Sequence, residues 1–392
     1  MKKRLLAVLV AAVTAVSLLA CGGGSSSSGS SGSADAGAGD AAAAIDMKVA
    51  IVTDYGDITD QSFNHTTYEA CKAFTEANGI DFTYYKPEGD STADRVAMID
   101  KAVADGYNVL VLPGYAFAEA IVESAETYTD VKFVALDVSE YDLCTAAKTD
   151  TYSQENVYSA VYQEEISGYM AGYAAVKMGY KKLGFLGGMA VPAVIRYGYG
   201  FVAGANDAAK EMGLTDVAIN YAYGNQFYGD ADITAAMDTW YKGGTEVVFA
   251  CGGGIYTSAA EAAAKENGKF IGVDVDQKAL VDGQYGDGMT ITSAMKGLGA
   301  TVNTLLAAIK DGKWDEYKGQ IQSLGMVSGD DPTLNYVQLP LETTVWNDGF
   351  TQDDYKALVK ALADGSVTVT VDASAAEAAA DTVAVTFLGN IK

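Results

Sequence analysis

The sequence predicts an α/β protein made of two doubly wound lobes with a central ligand cleft, and three observations predict it. From Met47 onward, short β-branched runs alternate with helix-patterned segments. Near residue 156 the same rhythm starts again. The residues with chemistry to offer collect in loops at one end of these strands. Runs that are continuously apolar, rather than alternating, mark strands buried on both faces, as in a parallel sheet covered by helices on each side.

In order, residues 48–53 (KVAIVT) read as the first buried strand, and a helix over about 62–78 closes at Gly79. Residues 82–85 make the second strand. Ser91 to Asp94 looks like a helix cap, and Val96, Ile99 and Val103 then share one face of a helix running to Gly106. The strand 108–112 (NVLVL), a helix over 117–128 and the strand 131–136 (VKFVAL) complete a βαβαβαβ series. A long helix is expected over about 156–178. Strands follow near 182–187, 217–222, 246–250 and 270–273, with helices between them. The segment 289–312, a strand and then an Ala/Leu-rich helix, is expected to return to the first lobe. The first lobe is therefore assigned residues 47–154 plus about 290–312, and the second 155–289 plus about 313–392.

The start of the chain reads differently. Lys2, Lys3 and Arg4 precede an apolar run from Leu5 to Leu19, about fifteen residues, too short for a spanning helix and suited to a signal peptide over 1–20. Leu18-Leu19-Ala20-Cys21 resembles the lipobox of bacterial lipoproteins. That likeness implies a diacylated Cys21 as the new N-terminus. Residues 21–46 then form a tether dominated by Gly, Ser and Ala. The expectation is a lipid-anchored protein on the outer face of the cell membrane, touching the bilayer through its lipid alone.

The formal charge of −25 argues against nucleic acid and weighs mildly against a phosphorylated ligand; removing the three leader cations makes it more negative still. With Cys21 assigned to lipid, Cys71, Cys144 and Cys251 remain, an odd number without zinc spacing, and read as small buried apolar residues. The single histidine, His65, has no recognisable catalytic partner, and no nucleophile elbow or His-based metal site is present. No cofactor, metal or catalytic residue is expected.

The strand-end loops hold the candidates. Asp54 to Asn64 combines three carboxylates, an amide and an aromatic at the start of a helix; on local grounds Asp60 and Ser62 could serve merely as caps. Gly114, Tyr115 and Phe117 follow the third strand, and Asp137 and Ser139 the fourth. In the second lobe, Gly187-Gly188-Met189 precedes Arg196-Tyr197, Gly252 to Gly254 follow Cys251, and Asp274 to Gln277 follow another strand; Lys296 comes after the strand 289–294. No Lys-Ser/Thr follows the glycines, so a P-loop is excluded, and Gly198-Tyr199-Gly200 lacks dinucleotide spacing. Ligands of such sheets bind beyond the carboxyl ends of the strands.

Asp54 through Asn64, with the preceding Thr53, reads T-D-x-G-x-I-x-D-x-S-F-N and resembles the opening motif of the basic membrane protein family, lipoprotein receptors for ABC importers that include the purine nucleoside receptor. Phe185 to Met189 and Gly272 to Gln277 are similar to two further signatures, and the likeness runs from about 47 to 350. It implies the type I periplasmic binding protein fold, an ABC permease as partner and a nucleoside, purine first, as ligand. Carried over by position, Phe63 and Tyr197 would sandwich the base. Asp54, Asp60, Ser62 and Asn64 would line the base and upper cleft, and Asp137, Gly253, Asp274 and Lys296 would face the ribose; Tyr115, in the loop after the third strand, joins them as an expected ligand-binding residue. Asp274 would grip the vicinal diol through charge-assisted bonds of about 1.5–3 kcal/mol each. The sequence departs from the family at Tyr197 (usually Phe), Thr59 (Asp), His65 (Gln) and Val275 (small polar), and the change at Thr59 bears on base selectivity. Other readings are a sugar or signalling-molecule receptor on the same fold, a sensory co-receptor, and a carboxylate-pair enzyme splitting nucleosides.

Overall fold

The computed structural model describes residues 46–54 and 56–392. The leader, Cys21 and most of the tether lie outside the described residues.

Two sheets organise the chain. The first takes β1 (Lys48–Val52), β2 (Asp81–Tyr85), β3 (Val109–Pro113), β4 (Lys132–Leu136) and β5 (Val157–Tyr162), joined by α1 (Phe63–Asn78), α2 (Thr92–Ala104), α3 (Ala118–Thr127) and α4 (Glu140–Ala147). After α5 (Glu164–Lys177) comes the second: β6 (Lys182–Gly187), α6 (Pro192–Met212), β7 (Ala218–Tyr223), α7 (Ala231–Lys242), β8 (Val247–Cys251), α8 (Tyr256–Glu266), β9 (Lys269–Asp274), α9 (Lys278–Tyr285) and β10 (Thr290–Lys296). The chain then passes through α10 (Leu298–Lys310), β11 (Ile321–Leu324), β12 (Val337–Gln338), α11 (Gln352–Asp364) and β13 (Ala384–Asn390). The strand orders are β11-β5-β4-β3-β1-β2 and β12-β10-β9-β8-β6-β7-β13. Every pairing is parallel except β10 with β12.

Successive residues of one strand feed opposite layers, so each sheet carries two cores. Val49, Val109 and Val134 pack with Leu298, Val302 and Leu305 of α10, whereas Ala50, Leu110 and Phe133 pack with Ile99 and Ile121. In the second sheet, Phe185, Phe249 and Ile271 face α5, α6 and α11, while Leu186, Val248 and Phe270 face α7, α8 and α9. The expected caps form. Ser91 and Asp94 make a reciprocal capping box, and Gly79 closes α1 in the left-handed region at φ 66°.

Four expectations need correction. The supposed long helix over 156–178 is β5 followed by α5. Val157, Tyr158, Val161 and Tyr162 are β-formers that complete the first sheet beside β4, and the single residue Gln163 separates strand from helix. The segment 289–312 does not move as one piece. Its strand, β10, pairs with β9 in the second sheet, and only the helix α10 packs on the first. Conversely β11, expected in the second lobe, extends the first sheet beside β5. Cys71 and Cys251 are buried as expected, but Cys144 on α4 is only half-buried.

The chain therefore passes between the sheets three times, at Gln163, at Gly297 and between Leu324 and Val337. These passages are bonded side by side: Gln163 N–H donates to the Leu324 carbonyl at 2.9 Å and Gly297 N–H to the Tyr336 carbonyl at 2.7 Å. The tail adds β13 to the free edge of β7, and the Ala-rich stretch before it packs Ala375 and Ala378 on the core without forming a helix.

Candidate functional site

A cavity partly open to solvent lies at the carboxyl ends of the strands of both sheets. Ten of the eleven residues expected at a site line it: Asp54, Asp60, Phe63, Asn64, Tyr115 and Asp137 on the side of the first sheet, Tyr197, Gly253 and Asp274 on that of the second, and Lys296 at a passage between them. Ser62 does not. It is fully buried and donates its hydroxyl to Asp274 Oδ2 at 2.5 Å, tying the first turn of α1 to the end of β9.

The start of α1 explains the exchange. Ser62 sits at the N-cap position yet makes no side-chain cap bond. Asp60 does that work, its carboxylate accepting from the backbone N–H groups of Ser62, Asn64 and His65 at 2.9–3.0 Å. Free N–H groups of a helix start are what a carboxylate satisfies best. Asp60 is thus both a cap and a lining residue. Burial pushes its carboxyl above the usual range. Asp54, bonded by Gly56 N–H and Asn64 Nδ2, is pushed up by burial to about 6. Its carboxylate lies so close to the backbone at Gly114, where φ is 127°, that a side chain there would collide with it. Asn64 spends its amide N–H on Asp54 and Asp60, and its buried Oδ1 has no hydrogen-bond partner.

Lys296 is the electrostatic centre. Its Nζ lies 2.7 Å from Asp137, 3.4 Å from Glu164 and 3.7 Å from Asp274, with 5% of the residue exposed. Burial alone would lower its pKa, but the three carboxylates outweigh burial and raise it above the usual lysine range. Three rings surround the same ammonium: Phe63 at 4.6 Å, Tyr162 at 5.4 Å and Tyr197 at 5.8 Å to centroid. Asp137 is pushed up by burial, against the pull of Lys296, to about 6, and its buried Oδ1 is unpartnered. Asp137 follows β4 and Asp274 ends β9, and both hold left-handed backbones, φ 61° and 64°. That conformation is uncommon outside glycine, so both strand ends carry strain at the point where they turn a carboxylate toward Lys296.

Tyr197 lines the cavity from the second sheet. It is 1% exposed, its hydroxyl 3.5 Å from Asp274, its ring edge-on to Phe249. A second aromatic, Phe227, lines the cavity and is only partly buried. It follows β7, so the same strand-end rule that selected the other loops points to it. One further residue had no motif to announce it. Glu164, fully buried at the first position of α5, accepts from Arg196 Nε at 2.6 Å. Burial pushes its carboxyl up, but Arg196 and Lys296 together hold it below the usual range. The α5–α6 contact that makes this pair possible depends on glycine: a side chain at Gly168 or Gly200 would collide with the opposing backbone at Tyr197 or Glu165.

Taken together, the cavity offers acceptors in excess: four carboxylates (Asp54, Asp60, Asp137 and Asp274) line it against one lining cation, Lys296, with the Glu164–Arg196 pair standing behind the wall. Such a site suits a neutral ligand rich in N–H and O–H donors and disfavours an anion.

Residues 47–327 match a protein family described as ABC transporter substrate-binding protein, PnrA-like. The chain is 30% identical over 332 residues to the ABC transporter nucleoside-binding protein BmpA of Lactococcus lactis subsp. cremoris, covering 80% of this chain and 87% of that one. It is 26% identical over 293 residues to an uncharacterised lipoprotein of Pyrococcus abyssi, covering 71% and 67%. Among solved structures, an ABC transporter solute-binding protein from Conexibacter woesei superposes with a TM-score of 0.63 at 23% identity, covering 83% of this chain and 98% of that one. At that identity the likeness carries the fold, the type I periplasmic binding architecture of two doubly wound lobes.

Proposed function

The chain belongs to the PnrA-like family of ABC transporter substrate-binding proteins, and we propose that it captures nucleosides, purine nucleosides first, in the cavity between its lobes. It is a receptor rather than an enzyme, and its partner is an ABC permease. The observation that carries the ligand reading is the acceptor-rich cavity with aromatic walls. Asn64 Oδ1 and Asp137 Oδ1, both on cavity-lining residues, each need a donor. A base with N–H groups supplies one, and a ribose hydroxyl supplies the other. Phe63 and the partly buried Phe227 offer ring faces for the base beside Tyr197, which lines the same cavity. Asp274, already bonded by Ser62, is better placed to hold the lobes and the ribose together than to take both hydroxyls of a diol alone. The printed description of the Lactococcus lactis relative, a nucleoside-binding protein, points the same way.

The anchor belongs to this reading: residues 1–20 are an export leader, Cys21 carries lipid, and the stretch to residue 46 tethers the receptor outside the cell membrane. A relative described as a lipoprotein supports it. Among the described residues no helix is long and apolar enough to cross a membrane.

A thermal-shift panel of the mature protein with inosine, adenosine, hypoxanthine, D-ribose and AMP tests the ligand. A ligand at about 100 times its Kd adds about 2.7 kcal/mol of stability, so nucleosides raise the unfolding midpoint clearly while ribose and AMP leave it nearly unmoved. Ribose stabilising as strongly as inosine would replace this reading with a sugar receptor.

A further inference from the structure

Glu164 and Lys296 flank two of the three passages between the lobes: Glu164 directly follows Gln163, and Lys296 directly precedes Gly297. Their contact at 3.4 Å therefore joins one passage to the other. From that point the ammonium reaches Asp137 at the end of a first-sheet strand and Asp274 at the end of a second-sheet strand. Behind Glu164 stands Arg196 of α6, at 2.6 Å, which keeps the carboxylate ionised and fixed in direction. Glu164 is fully buried and does not line the cavity.

We propose that Glu164, backed by Arg196, is a positioning residue for ligand capture: it holds the Lys296 ammonium within reach of both strand ends, so that one cation orients the carboxylates of Asp137 and Asp274 at once. The physical reason lies in the alternatives open to a buried ammonium. Without Glu164, nothing on the hinge side balances the pull of Asp137, the nearest carboxylate. Lys296, already touching Asp137 at 2.7 Å, then settles on that carboxylate alone, its 3.7 Å approach to Asp274 lengthens, and the end of β9 no longer presents its oxygens in a fixed direction. Arg196 keeps Glu164 from collapsing onto Lys296 in its turn. The three-ring enclosure of Lys296 by Phe63, Tyr162 and Tyr197 excludes water that would otherwise soften the effect.

This inference rests on the cavity being the ligand site, and a double-mutant cycle tests it. Wild type, Glu164→Gln, Lys296→Met and the double variant are titrated calorimetrically with inosine, and with D-ribose in parallel. Glu164→Gln weakens binding at least about tenfold and Lys296→Met more. The double variant binds within about twofold of Lys296→Met, because Glu164 acts only through Lys296. Glu164→Asp, which restores the charge one methylene short, recovers part of the loss. A residue with a merely structural role lowers the unfolding midpoint of the ligand-free protein without changing Kd. That result, unchanged binding by Glu164→Gln, or losses that multiply in the double variant would each overturn the proposal. Should Glu164→Gln not fold, Arg196→Gln follows the same logic, since Glu164 then draws Lys296 away from Asp137; it too weakens binding in the wild-type background and not in Lys296→Met. Wild type that takes ribose but not inosine fails the nucleoside reading alone, and the cycle is then read on ribose.

Discussion

Replacing Lys296 by methionine removes the ammonium that lies 2.7 Å from Asp137 and 3.7 Å from Asp274, and leaves a side chain of similar length in its place. Glu164 keeps Arg196; the two strand-end aspartates lose their cation. Breaking a buried pair from one side typically costs about 3–5 kcal/mol. Here the upper part of that range is relieved because Asp137 has an escape. Burial already raises its pKa to about 6 against the pull of Lys296, and without Lys296 it rises further, so near pH 7.5 the variant's Asp137 takes up a proton at less cost than an ordinary aspartate. A loss at the lower end of that range, about 3 kcal/mol of folding stability, is therefore expected near pH 7.5. The pH dependence follows from the direction of the shift. A carboxyl whose folded pKa is raised above its unfolded value contributes stability that is complete below the unfolded pKa and is lost as pH rises through the folded one. Without Lys296 the folded pKa of Asp137 rises further, so the variant gains more than wild type on acidification and the gap narrows by about 1–2 kcal/mol at pH 5. Asp54 and Asp60 titrate in both proteins and largely cancel in the difference. Urea unfolding of ligand-free wild type and variant at both pH values measures it. A variant as stable as wild type near pH 7.5, or a gap as wide at pH 5, refutes the account of Lys296 as the charge that holds both strand ends.

Phe63→Ala and Phe227→Ala each weaken all nucleosides by about 1–3 kcal/mol, the usual worth of a stacked base, whereas Asn64→Ala changes their rank order; calorimetry on a nucleoside series separates the two patterns. Asp274→Asn weakens inosine by about 1.5–3 kcal/mol while the protein stays folded, and equal binding of adenosine and 2′-deoxyadenosine by wild type would remove the ribose from its role. Because Asp54 sits at about 6 and a protonated carboxyl loses acceptor capacity, inosine affinity falls as pH drops below 6. Asp54→Asn flattens part of that fall; the remainder belongs to Asp137, and a pH titration of Kd shows whether it does. Cys21→Ser releases the protein from the membrane fraction without altering ligand affinity, as detergent partitioning and calorimetry on the same preparation will establish.

Much of this molecule is written in short segments. The strands 48–52, 109–113 and 132–136 could be read because continuous apolar runs between turn residues have few other fates, and the Ser91–Asp94 cap because its bonds are local. The lining loops could be read because a parallel sheet gathers its strand ends at one edge whatever the order of its strands. The failures share one cause. Residues 157–162 carry β-formers next to a helix-patterned stretch, and nothing local says that the first sheet still needs a strand beside β4. The partition of 289–312 turns on β10 pairing with β9 while α10 packs on the opposite sheet, a choice made by contacts far apart in the chain. Phe227 was passed over although its loop follows β7.

The site shows the same division at the level of single side chains. Sequence alone determined the identity of the chemistry: a wealth of carboxylates, an amide and aromatics at strand ends, and a lone lysine after a late strand. It could not determine who bonds whom. Asp60 rather than Ser62 caps α1, because a carboxylate meets three N–H groups where a hydroxyl meets fewer, and that frees Ser62 to reach Asp274 from the other sheet. Lys296 finds Asp137 159 residues and Glu164 132 residues away in sequence, and Arg196 reaches Glu164 because glycines let α5 and α6 touch. Residue type is a local property that a sequence states outright. The burial and partners that fix the charge of Asp137, Glu164 and Lys296 are properties of the packed whole, and they exist once both sheets and all three passages are in place.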